Sequence, residues 1–278
     1  MIKLGSHVPF SAPGYLEKAI EISVNNKANC AMIYLGAPQN TKRVAIEKYN
    51  LEKYKQKYET IISLKDIIVH APYIVNPSNP DKQEFAVEFL TQEIERMHKT
   101  GLEILVLHPG AFTNHSVDIA INTLISSLNQ IFENTKYSNV SIALETMAGK
   151  GTEIGIKFEQ LLRVIEAVKS PRLSICLDTC HLWDAGYNLK KYDEFKKELV
   201  AKDLLKHVSV IHLNDSKNDL GAAKDRHENI DKGFIGLETL AKFVHDKDFD
   251  NIPIVLETPI PENGPIYDKE IEMLRKAK

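Results

Sequence analysis

Five histidines and four carboxylates, His70, His108, Glu145, Asp178, His181, His212, Asp225, His227 and Glu257, have the types and spacing of a metal-binding set. Imidazole and carboxylate donors without thiolate suit Zn²⁺, Mn²⁺ or Fe²⁺. Six of them, His70, His108, Glu145, Asp178, His212 and Glu257, stand at the ends of short apolar, β-prone runs. Successive members fall about 33–45 residues apart, roughly the length of one strand–helix unit. His181 follows three residues beyond the strand-end Asp178 in Asp178-Thr179-Cys180-His181. In Asp225-Arg226-His227 two ligand types are two residues apart, so an extended segment turns both the same way. Nine donors are too many for one tetrahedral ion. At three protein ligands per catalytic ion, with shared carboxylates, they suit two or three. A single strand-end histidine is more often a hydrogen-bonded structural residue; the agreement of six strand ends carries the metal reading. His7 ends the first such run and is expected beside the ligands. His98, His115, His207 and His245 are read as surface residues, and Cys30, Cys176 and Cys180 as packing.

Positioning these side chains requires elements that repeat. Strand patterns fall at 2–7, 30–35, 66–71, 103–108, 140–145, 173–178, 208–213 and 253–257. Several are near-continuous apolar runs, as in Ile67-Ile68-Val69, which suit strands buried on both faces of a parallel sheet. Amphipathic stretches alternate with them at 15–25, 51–62, 82–98, 117–132, 157–168, 190–204, 237–244 and 267–276. Eight such units in 278 residues predict one domain over 1–278, a (β/α)8 TIM barrel. A doubly wound open sheet is the alternative, but no glycine-rich phosphate loop follows the first strand. In the barrel all C-terminal strand ends open onto one face, so the six strand-end donors converge on one mouth.

Composition narrows the class. Hydrophobic residues make up 43% and charged residues 26%, enough for a large core. No apolar run reaches the length of a membrane span, and the first residues enter a strand pattern without a signal-type apolar region. Three cysteines with no C-x-x-C pair predict a reducing, cytoplasmic setting. The formal charge of −3 excludes a generic basic nucleic-acid coat. Three bound divalent ions would carry it to about +3 and concentrate positive charge in a phosphate-sized pocket.

These residues lie in segments that resemble the endonuclease IV family of apurinic/apyrimidinic (AP) endonucleases. The segments are Gly-Ala-Pro-Gln-Asn-Thr at 36–41, His-Ala-Pro-Tyr-Ile-Val-Asn at 70–76, His-Pro-Gly at 108–110 and Leu-Glu-Thr-Met-Ala-Gly-Lys-Gly at 144–151. They continue with Asp-Thr-Cys-His at 178–181, Ala-Gly-Tyr at 185–187 and His-Leu-Asn-Asp-Ser-Lys at 212–217. Asp-Arg-His-Glu-Asn-Ile at 225–230 and Leu-Glu-Thr-Pro at 256–259 complete the series over essentially the whole chain. The resemblance implies a (β/α)8 barrel with three Zn²⁺ that hydrolyses the phosphodiester 5′ to an abasic site in duplex DNA, leaving a 3′-hydroxyl and a 5′-deoxyribose phosphate. It implies a first ion on His70, His108 and Glu145. A second shares Glu145 with Asp178, His212 and Glu257, and a third takes His181, Asp225 and His227. Glu145 is then also the catalytic residue that positions the nucleophile. Mn²⁺ or Fe²⁺ is compatible with some sites. Trimming of blocked 3′ ends is a further expected activity. Ala111, Lys232 and the Leu182-Trp183-Asp184 run depart from the family's usual residues, outside the ligands.

An abasic nucleotide has no base to unstack, so turning it into a pocket costs less than for an intact one. Tyr73 and Ile74, just past His70, are expected to wedge into the opened stack, and Gln39 and Asn40 to line the DNA groove. The chain is expected to act as a monomer, on DNA rather than on a membrane. The competing readings are a metal-dependent sugar isomerase or epimerase on the same barrel and a non-enzymatic metal-binding protein. Five histidines and the Asp225/His227 pair argue against the first, and a shared Glu145 against the second.

Overall fold

A computed structural model of the chain describes residues 1–277. Along the chain the strands are β1 (Lys3–His7), β2 (Ala31–Ile33), β3 (Ile67–His70), β4 (Ile104–Leu107), β5 (Ser141–Glu145), β6 (Leu173–Asp178), β7 (Val208–His212), β8 (Asp215–Ser216), β9 (His227–Glu228) and β10 (Pro253–Leu256). All but β8 and β9 run parallel and close into a single-domain TIM barrel, in the order β1-β10-β7-β6-β5-β4-β3-β2. The seam pairs β1 with β10, Lys3 opposite Pro253 through Ser6 opposite Leu256. The helices are α1 (Tyr15–Asn25), α2 (Leu51–Lys57), α3 (Gln83–Thr100), α4 (Val117–Asn134), α5 (Phe158–Val168), α6 (Thr179–Asp184), α7 (Tyr192–Ala201), α8 (Leu237–His245) and α9 (Tyr267–Lys276). Among the described residues no helix is long and apolar enough to cross a membrane.

The strands are buried on both faces, and their period of two divides the core. Ile67, Val69, Leu105, Leu107, Ile142, Leu144, Ile175, Leu177, Ile211 and Ile254 belong to the outer core shared with the helices. The alternate residues Met32, Ile68, Val106, Ala143, Cys176, Val210 and Val255, with Cys30, fill the barrel interior as a separate cluster. Cys30 and Cys176 are therefore packing residues, as expected, and burial pushes both thiols up to about 12.

The helix expected over 51–62 stops at Lys57. The buried Tyr54 hydroxyl donates to the Ile62 carbonyl at 2.6 Å, and the amides of Ile61 and Ile62 fold back onto the Tyr58 carbonyl. The helix expected over 190–204 is shortened to Tyr192–Ala201. Two features are additional to the sequence reading. The six-residue helix α6 leaves β6 directly, and β8 pairs with β9 in a two-stranded antiparallel ribbon. Both stand at the mouth.

Candidate metal centre

The period of two that packs the interior also aims the donors. Ile68, Val106, Ala143, Cys176, Val210 and Val255 point inward, and two residues further along each strand stand His70, His108, Glu145, Asp178, His212 and Glu257. The barrel's top layer is thus polar where the layer beneath is apolar. Glu145 lies at its centre. Its Oε2 is 3.1 Å from His70 Nε2 and 3.2 Å from His108 Nε2, and its Oε1 is 3.0 Å from His212 Nδ1 and 3.3 Å from His181 Nδ1. His212 Nδ1 is also 3.0 Å from Glu257 Oε2. On the far side His181 Nε2 is 3.0 Å from Asp225 Oδ1. His227 Nε2 lies 3.6 Å from Asp225 Oδ1 and 3.7 Å from Asp178 Oδ2.

The structure brings all nine sequence-derived donors together. They form overlapping groups whose donor atoms lie within 4.8 Å of one another: His70, His108 and Glu145; Glu145, Asp178, His212 and Glu257; and Asp178, His181 and His227. Asp225 joins the last through its contacts with both histidines. Cys176 Sγ also approaches Glu145 and His212. It does so from the apolar interior layer, where it packs with Ala143 and Val210.

The donor set fits divalent ions on three observations. First, a backbone carbonyl only accepts, so the contacts His70 Nδ1 to Ala71 O (2.7 Å), His181 Nδ1 to Thr146 O (2.8 Å) and His227 Nδ1 to Glu257 O (3.2 Å) place the proton on Nδ1. That turns each Nε2 toward the cluster, where the neutral ring would offer its lone pair to an ion, the usual arrangement of a metal-ligating imidazole. Second, the His227 Nε2 is buried with no hydrogen-bond partner among the described residues. Third, the carboxylates are held from behind. Asp178 caps α6 by accepting the His181 amide at 2.7 Å and accepts from Asn214 Nδ2 at 2.8 Å. Asn214 Oδ1 in turn accepts the Glu257 amide at 2.8 Å. Asn214 escapes the sequence reading; its only signal there is its place in the 212–217 segment.

Charge balance follows the packing. Burial opposes ionisation of Glu145, but the charges of His212 and His108 outweigh it and hold its carboxyl well below the ordinary value. Burial likewise opposes charge on His181, yet Asp178, Asp225 and Glu145 raise its pKa well above normal. Asp225, despite its burial, is drawn down to about 2 by its hydrogen bond with His181. His7 is half-buried beside the cluster, edge-on to Tyr34, whose ring lies 4.9 Å from that of His70. His98 and His245 are exposed, His207 is partly exposed, and His115 pairs with Asp81 at 3.2 Å.

Two loops flank the mouth. Tyr73 and Ile74, after β3, are 54% and 42% exposed, so no core packing accounts for them. Tyr73 lines a cavity of about 150 Å³ with Asn76, His108, Met147 and Glu153. Gln39 is exposed and Asn40 partly buried in the connection after β2. That connection is tied to α3: Arg43 Nε donates to Glu93 Oε2 at 2.7 Å, and Arg43 Nη1 bonds the Lys42 carbonyl at 3.0 Å. Arg96 Nη1 holds the Val44 carbonyl at 3.0 Å. Gly36 is required by this closeness, since a Cβ there would collide with the Lys42 carbonyl oxygen and with Arg43 Nη1.

Comparison with known proteins separates fold from family. Residues 21–277 match the model of the xylose isomerase-like TIM barrel family. Endonuclease IV from Thermus thermophilus superposes with a TM-score of 0.85 at 24% identity, covering 98% of this chain and 97% of that one. A D-tagatose 3-epimerase-like protein superposes with a TM-score of 0.73 at 22% identity, covering 99% and 96%. At these identities both speak to the fold alone, and the fold is shared by a nuclease and a sugar-enzyme relative. Sequence divides them. The probable endonuclease 4 of Mycoplasmopsis synoviae is 62% identical over all of both chains. That of Mycoplasmopsis agalactiae is 60% identical over 100% of this chain and 99% of its own, and that of Acholeplasma laidlawii 44% over 99% and 95%. The chain therefore belongs to the endonuclease 4 family, within the xylose isomerase-like TIM barrels.

Proposed function

We propose that this protein is a Zn²⁺-dependent DNA-repair endonuclease that hydrolyses the phosphodiester 5′ to abasic sites in duplex DNA, leaving a 3′-hydroxyl and a 5′-deoxyribose phosphate. The observation that carries the reading is the placement of Glu145, with both carboxylate oxygens shared among four histidines at the barrel mouth. His70, His108 and Glu145 would hold one ion, Glu145, Asp178, His212 and Glu257 a second, and His181, Asp225 and His227 a third. Mn²⁺ or Fe²⁺ suits the same donors. Bound ions of this kind lower the pKa of water and stabilise charge at a phosphoryl group.

The chain's own residues do the rest. Glu145 orients the nucleophile, so no spare histidine is needed as a general base. Tyr73 and Ile74 wedge into the opened stack, and Gln39 and Asn40 face the groove. Exclusion of an intact base from the pocket beside His108 supports selectivity, because an abasic sugar is the smaller guest. The same pocket suits removal of blocking groups from 3′ ends. The whole chain serves as one catalytic domain, monomeric and cytoplasmic, where its three buried free cysteines remain reduced.

A labelled duplex with a single abasic site provides the test. Incision 5′ to the site is expected, lost on prolonged chelation and restored by Zn²⁺. Full activity in a preparation with no detectable metal would overturn the reading, as would epimerisation of a keto-sugar without any nicking.

A further inference from the structure

One segment of the mouth has no counterpart among the barrel's regular elements: the loop 217–226, which delivers Asp225. Its closing backbone is contorted. Ala223 and Asp225 both have φ of +53°, a left-handed conformation sparsely populated by non-glycine residues. Such conformations persist only where the surroundings over-determine them. Here Asp184 takes the largest share. Three consecutive amides converge on Asp184: Ala223 N donates to its main-chain carbonyl at 3.0 Å, and Lys224 N and Asp225 N donate to its Oδ2 at 3.2 and 2.8 Å. Asn218 Nδ2 approaches the same oxygen at 3.4 Å, while Oδ1 accepts from Ser216 Oγ at 2.8 Å. Asp184 is 1% exposed, so these bonds have no competition from water. Its neighbour Trp183 adds two more ties, Nε1 to the Asn218 carbonyl at 2.9 Å and its own carbonyl to Gly221 N at 3.0 Å.

We propose that Asp184 is a positioning residue that assembles the His181/Asp225/His227 set, resting on the three-ion reading above. It reaches all three through different routes. His181 lies one turn earlier on α6, which Asp184 ends. Asp225 is held through its amide, and His227 through Ser216, its cross-strand partner in the β8–β9 ribbon. A concave run of backbone amides of this kind is a natural seat for a carboxylate. The local role of Trp183 and Asp184 is to moor the loop that brings a ligand from outside the barrel.

Elemental analysis of metal per chain, after passage over a chelating resin, tests the role, with amide exchange of the metal-stripped protein alongside. Wild type is expected to retain about three ions, and the control Asp225→Asn/His227→Ala about two. Asp184→Ala is expected to match the control, and its 223–225 amides to exchange at least about tenfold faster than in wild type, because the bonds that protect them are gone. Asp184→Asn is expected to keep most of the third ion. Its carbonyl oxygen can take the two amides while its amino group donates to Ser216 Oγ. Three ions firmly held in Asp184→Ala would overturn the proposal and leave the three-ion reading intact. Equal loss in the alanine and asparagine variants would overturn it too, by assigning the effect to charge. Wild type holding only two ions would overturn the three-ion reading and this role with it. Should the alanine variant fail to fold, Trp183→Phe decides. Loss of its third ion to chelator faster than wild type supports the mooring, and an unchanged rate refutes it.

Discussion

Glu145 shares two oxygens among four histidines, and a group so placed is expected to be intolerant of even an isosteric change. Glu145→Gln keeps the side chain's shape but removes its charge and one of the two oxygens able to bridge ions. Turnover should fall by about 10²-fold or more, the usual cost of losing an electrostatic stabiliser in a dry site. Far-UV dichroism should be unchanged, because the barrel beneath is apolar and complete without it. Single-turnover nicking of an abasic duplex provides the measurement. A rate within a few-fold of wild type would assign Glu145 a merely structural place. The neighbouring Asn214 acts differently: it touches Asp178 and Glu257 from behind, so its removal should loosen ligands rather than remove one.

The connection after β2 rests on a buried ion pair, beside the Arg96 bond to the Val44 carbonyl. Arg43 and Glu93 side chains are only 6% and 1% exposed, and the Arg43 guanidinium also lies over Phe89. Glu93→Ala would leave a buried guanidinium without its partner, which typically costs about 3–5 kcal/mol. Denaturant unfolding should show that loss, and affinity for abasic duplex should fall with it as Gln39 and Asn40 lose their anchorage. An unchanged midpoint would mean that the loop rests on other contacts. What could be read in advance at this scale follows from physics of different ranges. The eight strands and the helices between them were legible because period-two and period-3.6 patterns are local. Six donors were legible because each sits two residues beyond an inward-facing residue of its own strand. The helix α6 and the β8–β9 ribbon were not, since elements of six and two residues are too short to display a period. Nor were the supporting contacts of Asp184, Asn214 and Arg43, which join positions 32 to 50 residues apart by hydrogen bonds that leave no spacing rule.

As a whole molecule, the chain gathers four acidic side chains at one mouth while carrying a formal charge of −3. Stripping its metal should therefore weaken both fold and DNA binding, as the carboxylates repel one another and the pocket loses its positive field. The melting temperature should drop by more than about 5 °C, given the stabilisation that each tightly bound ion confers. Affinity for duplex should fall at least about tenfold, with a shallower salt dependence than the loaded protein shows. Calorimetry and a binding titration at several salt concentrations measure these. Identical melting with and without metal would contradict the coupling. The barrel seam has one more consequence, for how the protein is made. Because β1 pairs with β10, the ring cannot close until the chain has been synthesised through Leu256. Between His70 and Glu257 a ribosome working at about 5–20 residues per second needs roughly 10–40 s. Throughout that interval the nascent chain holds an incomplete set of donors on an open sheet, so the nuclease centre is assembled only after β10 and Glu257 have emerged.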